Sequence, residues 1–225
     1  MKTLFKNAVI SVAGASHPVR ALAGRESIST LFSYEARWVT ELPVPSPADL
    51  VGAVATLTLD DRLGNARTVS GVVAECQSSA SELGFADMTC TLRPSVYALT
   101  LGRSSRTFQS MTLKRILSEV LGGAAGSTAF SFASDATIAY RVQRNESDWD
   151  FIERTLSDAG LFYFFDHAAG SSLVIADGLR RGPELEGGLM PVYLKSMVGQ
   201  VHEGIIALGA TDAASTSTHS RKNFR

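Results

Sequence analysis

The sequence predicts an α+β chain that is mostly β, with a barrel or sandwich over its first hundred residues and two helices after them. Three observations predict it. The first hundred residues break into short runs of β-branched, aromatic and alternating residues, punctuated by turn formers at the spacing of small all-β domains. After Ser110, and again after Ser147, the apolar period changes from that of a strand to that of a helix. The chain has 225 residues, 45% of them hydrophobic, enough for one or two real cores.

The strand runs come first. They are "LFKNAVISV", "RALAGRESI", "TLFSYEARWVTEL", "GAVATLTLDD", "ARTVSGVVAECQS" and "GFADMTCTLRP", with Gly14, Gly24, "PVPSP", "DRLGN", Gly84 and Pro94 as breakers. In "SYEARWVTE", Tyr34, Ala36, Trp38 and Thr40 share one face, and Glu35, Arg37 and Glu41 lie on the other. Pro43, Pro45 and Pro47 cannot donate to a ladder, so "LPVPSPADL" is expected to be an extended crossover. Asp60 and Asp61 open the turn before "RLGN", and turn chemistry explains them. A calcium site would need more oxygen ligands than that loop offers.

In "SMTLKRILSEVLGG", Leu113, Ile116, Leu117, Val120 and Leu121 form one helical face. Ser110 is the expected N-cap, and Gly122 or Gly123 is expected to end the helix in the left-handed region. "AAGSTAFSFASDATI" reads as a loop with one short strand, and "AYRVQRN" as a further strand. Ser147 then caps a second helix, with Asp150 at the third helical position as a capping box. Asp148, Asp150 and Glu153 fall in the first turns, where the helix dipole favours negative charge. Asp150 and Arg154 are spaced for an ion pair along the helix. Trp149, Ile152 and Leu156 form the buried stripe with Phe151 beside it, contributing roughly 6–12 kcal/mol as an upper bound on burial. Gly160 stops the helix. "LFYFF" is a strand, "DHAAGSS" a turn and "LVIADG" its hairpin partner. The tail gives one further strand, "QVHEGIIALGA", in which "VHEGIIA" faintly echoes "VSGVVAE". The chain then stops without a partner for that strand, as expected of a fragment of a longer protein.

Composition excludes several functions. A net charge of -1 leaves no electrostatic footprint for nucleic acid. No run of about eighteen apolar residues is present, and no polybasic anchor, so no membrane attachment is expected. The amino terminus resembles a signal peptide only briefly, because Lys6 and Asn7 break the run and Leu4, Ala8, Ile10 and Val12 alternate like a strand. Cys76 and Cys90 each sit in a strand-like run and read as reduced core thiols. Neighbouring strands could bring them together, but the sequence does not imply a disulfide. Charged residues make up 19% of the chain against a usual ~25%. That suggests that some surface is covered by partners.

The sequence holds none of the serine-hydrolase, zinc-protease, P-loop or dinucleotide-binding signatures. His17, His167, His202 and His219 lie outside metal-ligand spacing of one another and of the cysteines. His167, at a hairpin turn, is expected to face solvent. No catalytic, cofactor-binding or metal residue is assigned, and no cofactor is expected.

Three phrases then carry a family resemblance. "GRESISTLFSYEARW" resembles the opening of VgrG proteins, the spike of the type VI secretion system, through Glu26, Ile28, Ser29, Leu31, Phe32 and Tyr34. "LRPSVYALTLGRSSRTFQSMTLKRILSEVL" resembles a second passage through Leu92, Pro94, Leu99, Arg106, Phe108, Gln109, Leu113, Ile116 and Leu117. "YRVQRNESDWDFIERTLSDAGLFYFF" is similar to a third through Tyr140, Val142, Gln143, Glu146, Ser147, Asp148, Phe151, Ile152, Arg154, Gly160, Tyr163 and Phe165. Arg144, Thr155 and Ala159 depart from the usual residues.

The resemblance implies a fold like the phage tail hub: two barrel-like β domains, the second truncated, with α/β inserts. The implied domains are a first β-barrel over 1–100, an α/β domain with two helices and a hairpin over 101–180, and the start of a second barrel over 181–225. It implies a homotrimer in the full-length protein, adapting a sixfold, Hcp-like tail tube to a trimeric spike. A PAAR-type tip protein and effectors would attach through regions beyond this chain. The protein would stay cytoplasmic until assembly and then be injected. A phage-type tail baseplate hub is the related alternative. A cell-wall hydrolase would need two carboxylates across a cleft, and Asp148 and Asp150 point to different sides of their helix. A carbohydrate-binding module would need an exposed aromatic, for which Trp38 is the candidate.

Overall fold

The computed structural model describes residues 7–60, 66–80 and 84–178. The expected strand "QVHEGIIALGA", His202, His219 and the expected second barrel over 181–225 lie outside the described residues.

The six strand-like runs, with a short unpredicted strand at Ala15–Pro18, form one antiparallel sheet of seven strands. Its strands are β1 (Asn7–Val12), β2 (Ala15–Pro18), β3 (Ala21–Ser27), β4 (Thr30–Glu41), β5 (Val54–Asp60), β6 (Ala66–Ala80) and β7 (Phe85–Arg93), in the order β2-β1-β5-β6-β7-β4-β3. The sheet curls until its two edge strands follow one another in the chain. Only Val19 and Arg20 separate β2 from β3. The Val19 N–H donates to the Ala8 carbonyl at 2.8 Å, and the Arg20 N–H to the Arg37 carbonyl at 2.7 Å. One bent segment therefore changes partner from β1 to β4 at this corner, as a barrel rim requires. The alternation along β4 faces the inside of the curl, with Phe32, Tyr34, Ala36 and Trp38 buried. Trp38 is 2% exposed and stacks on His17 at 5.3 Å, so it offers no platform to a sugar.

The proline segment departs from expectation. It is not extended throughout: Pro47–Leu50 forms a short helix, α1, because Ser46 accepts the Ala48 N–H and Pro47 supplies the preset φ of a first helical residue. Leu50 drops from it into the core.

A 3₁₀ turn, Ser95–Thr100, leads to the second group of elements. These are β8 (Ser104–Thr112), α2 (Leu113–Leu121), β9 (Thr128–Ser131), β10 (Thr137–Glu146), α3 (Asp148–Asp158), β11 (Phe162–Asp166) and β12 (Ser172–Ala176). β8 and β10 pair as an antiparallel ribbon, and β12 lies between antiparallel β11 and parallel β9. The predicted helical face of α2 is buried at all five positions. Its cap is Thr112, whose hydroxyl accepts the Arg115 N–H, and not Ser110. Pairing with β10 runs to the Thr112↔Thr137 position and keeps Ser110 inside the strand with φ 51°. Gly122 ends α2 with φ 51° and ψ −135°, a positive φ outside the left-handed helical region. α3 buries Trp149, Phe151, Ile152 and Leu156 against α2 and the strands around it.

The two cysteines form a disulfide. Cys76 and Cys90 stand directly opposite one another in β6 and β7, with Cα atoms 4.1 Å apart. The sequence left their pairing open, because the β6–β7 register that brings them together follows from an irregularity between Val73 and Glu75, which local pattern does not reveal.

Candidate functional site

Of the acids near residue 150, the Asp148 and Glu153 carboxylates are occupied with structure. Ser147 Oγ accepts the Asp150 N–H at 3.0 Å, forming the predicted cap, and the Asp150 side chain is exposed. Asp148 Oδ1 accepts from Gln143 Nε2 at 2.8 Å and from the Arg106 guanidinium. Burial alone would raise the Asp148 pKa, but these donors hold it below its ordinary value. Glu153 Oε1 receives Trp149 Nε1–H at 2.9 Å and Tyr163 O–H at 2.7 Å, joining α3 to β11. Burial, and then the bond to Glu153, push the Tyr163 hydroxyl well above its usual range. Arg154 does not pair with Asp150. It turns back to β10, meeting Glu146 at 2.6 Å and the Val142 carbonyl at 3.0 Å. Two convergent acceptors on the strand outcompete one exposed carboxylate along the helix.

A second polar cluster lies on the seam between the curled sheet and the β11–β12 hairpin. Its centre is Glu26, on the edge strand β3. Glu26 Oε1 accepts Tyr34 O–H at 2.7 Å and His167 Nε2–H at 2.8 Å, and Oε2 pairs with Arg67. Burial pushes this carboxyl up. The hydrogen bonds from His167 and Tyr34 and the charges of His167 and Arg67 outweigh it and bring the pKa down to about 2. The same burial and bond push the Tyr34 hydroxyl up. His167 is not solvent-facing: its side chain is 9% exposed. Asp166 Oδ1 accepts the Ala168 N–H in an Asx turn, and the imidazole points inward. His167 Nδ1 lies 2.7 Å from Ser171 Oγ, which in turn accepts the Ser70 N–H at 2.8 Å. Around this relay, Phe32 meets Phe165 edge-on at 5.1 Å, and the Ser29 N–H donates to the Tyr163 carbonyl at 2.8 Å.

Gly24 makes the cluster possible. Tyr34 is its cross-strand partner, and the Tyr34 ring lies against it. A Cβ at residue 24 would stand 2.3 Å from Tyr34 Cε1. The bare backbone lets the ring lie along β3 so that its hydroxyl reaches Glu26.

Beside the relay is a cavity of about 220 Å3, walled by Ile28, Phe32, Phe164 and Phe165, with Glu26 and His167 on its lining. The order Ser171–His167–Glu26 has the outline of a nucleophile relay. Its geometry serves another purpose. Ser171 does not line the cavity, its oxygen is engaged by the Ser70 amide, and the Glu26 charge is shared with Arg67. Donors and acceptors are matched within the cluster, so it acts as a clamp between β3, β6 and the β11–β12 turn. Among the described residues, no three or more His, Cys, Asp or Glu side chains group as metal ligands.

This arrangement of a curled sheet clamped to a helix-bearing α/β unit has relatives. Residues 25–225 match the phage tail baseplate hub (GPD) family. The chain belongs to that family. This hub chain is 32% identical over 174 residues to the type VI secretion system spike protein VgrG1a of Pseudomonas aeruginosa, covering 73% of itself and 26% of that protein. It therefore spans about a quarter of the length of that relative. Its fold is similar to the E. coli c3393 protein, a component of the type VI secretion system, with a TM-score of 0.67 and 23% identity over 76% of the hub chain and 49% of that one. It is also similar to the 43 kDa tail protein of prophage MuSo2 from Shewanella oneidensis, with a TM-score of 0.60 and 16% identity over 83% of the hub chain and 58% of the other. The phrase around Glu26 that pointed to this family is thus also the phrase that builds the clamp. Sequence reasoning missed His167 and Ser171 because Glu26 and Ser70, which fix them, lie on other elements. A histidine between an Asx turn and a returning apolar strand was the available signal.

Proposed function

We propose that this chain is a structural hub module at the base of a type VI secretion spike, and that it catalyses nothing itself. The observation that carries this is the family match over 25–225, together with 32% identity to a spike protein. The site geometry supports it: the Asp148, Glu153 and Glu26 carboxylates are tied to arginines, a glutamine amide and aromatic or imidazole donors, and Asp150 is left exposed at a helix start. In the complete protein the module would form a homotrimer that adapts an Hcp-like tube to the spike. A PAAR-type tip and effectors would be carried beyond residue 225. The low charged fraction suits a ring subunit with faces covered by neighbours. The module would be held in the cytoplasm until assembly and then injected. No helix among the described residues is long and apolar enough to cross a membrane. Secretion is favoured over the phage branch because the sequence identity is to a spike protein, whereas the prophage tail likeness is one of fold.

The test is genetic. In the organism that carries the gene, removing the codons for residues 7–178 is expected to stop release of the tube protein into the medium. Complementation with the Asp148→Asn, Asp150→Asn double variant is expected to restore it. A folded double variant that fails, with loss of a cell-wall-hydrolysing activity, would contradict the structural reading.

A further inference from the structure

The long strand β6 is paired on both sides only in its first part. β5 covers Ala66–Val72, and the Val73 N–H and carbonyl bond to Ala53 and Gly52. Beyond the irregularity at Val73/Glu75, residues 75–80 have only β7 beside them among the described elements. Among the described residues, the β6–β7 hairpin therefore carries an overhang with one unpaired edge. Cys76 lies at its root, partly buried, and faces Cys90, which is 1% exposed on doubly paired β7.

We propose that Cys76 and Cys90 are a redox-set staple for this overhang: two thiols under reducing conditions, a disulfide where small disulfides such as oxidised glutathione prevail. The placement gives the chemistry a direction. The partly exposed Cys76 thiolate attacks oxidised glutathione, forming a mixed disulfide and releasing one glutathione thiolate. The Cys90 thiolate then attacks the Cys76 sulfur and releases the second. The protein gives up two electrons and its two thiol protons, and one glutathione disulfide becomes two glutathione thiols. Closure ties the open-edged strand to the strand held between β6 and β4. Reducing cytosol favours the open form and oxidising compartments the closed one. Closure outside the cell is the part that rests on the proposed export.

The wild-type chain is equilibrated in glutathione buffers from fully reduced to fully oxidised. Free thiols are counted with an aromatic disulfide reagent, and hydrogen exchange is followed across residues 75–80 and 85–91. Two thiols are expected in the reduced buffer and none in the oxidised one, with amides of residues 77–80 exchanging about ten-fold more slowly when oxidised. Cys76→Ser is expected to exchange like the reduced form in both buffers. Equal exchange in the two states, thiols that persist in oxidised glutathione, or a disulfide that survives excess reduced glutathione would each overturn the proposal. A chain recovered from the medium with both thiols free would overturn closure outside the cell, and leave the buffer result to judge the staple by itself.

Discussion

Replacing Glu26 by Gln removes the charge at the centre of the seam while keeping its shape. In the folded chain the Glu26 carboxyl is held at about 2, against an ordinary 4.5. At ~1.36 kcal/mol for each pH unit, that difference corresponds to about 3 kcal/mol of preference for the charged form. The side chain is 27% exposed, so solvent screening reduces the contribution to about 2 kcal/mol. For a chain of 225 residues this is a loss of about 4–8 °C in Tm at neutral pH. The pH dependence follows from linkage. The folded pKa is depressed, so the stabilisation is fully present above the unfolded value and fades as pH falls towards the folded one. Wild type therefore loses it between about pH 4.5 and about pH 2, with more than half gone by about pH 3, while Glu26→Gln has none to lose. Urea unfolding of both proteins at a series of pH values gives the test. The gap between them is expected to be widest at pH 7 and to close in acid. A gap that is absent at pH 7, or that keeps its full size at pH 3, would refute the clamp. A double-mutant cycle with His167→Gln separates the pair term from loss of packing.

Further outcomes follow from the same contacts. Gly24→Ala places a methyl group against the Tyr34 ring and is expected to cost about 1–3 kcal/mol, measured by denaturant unfolding. Ser147→Ala removes the α3 cap and is expected to cost about 1 kcal/mol. Asp150→Asn, at an exposed side chain, is expected to change stability by no more than about 0.5 kcal/mol in the same assay. Phe32→Ala empties a fully buried position between the sheet and β11, and a loss of about 3–5 kcal/mol is expected in its unfolding curve.

What the sequence disclosed was local. The alternation of β4 put Trp38 on one face with Tyr34 and Ala36, and the structure shows that face turned inward, so Trp38 cannot serve as a sugar platform. The cap, stripe and stop of α3 were legible because Ser147, Trp149, Phe151, Ile152, Leu156 and Gly160 all act within one element. What stayed hidden depended on neighbours far away in sequence. Ser110 has the chemistry of a cap, but β10 holds it in a strand. Arg154 had a partner at the right helical spacing, yet Glu146 and Val142 on β10 offer it two acceptors at once. Cys76 and Cys90 meet because of a register set by an irregularity no periodicity records. His167 looked like a turn residue because Glu26 and Phe32, which surround it, come from the other sheet. The seam could not be read from either of its halves.

The proposed function makes this module one of several identical subunits around an axis, with Asp148, Glu153 and Glu26 engaged in holding it together. The mass of the complete protein in solution, by light scattering, tests it most directly. Three subunits per particle is the result expected. A single, well-folded subunit at concentrations where machine components assemble would contradict it.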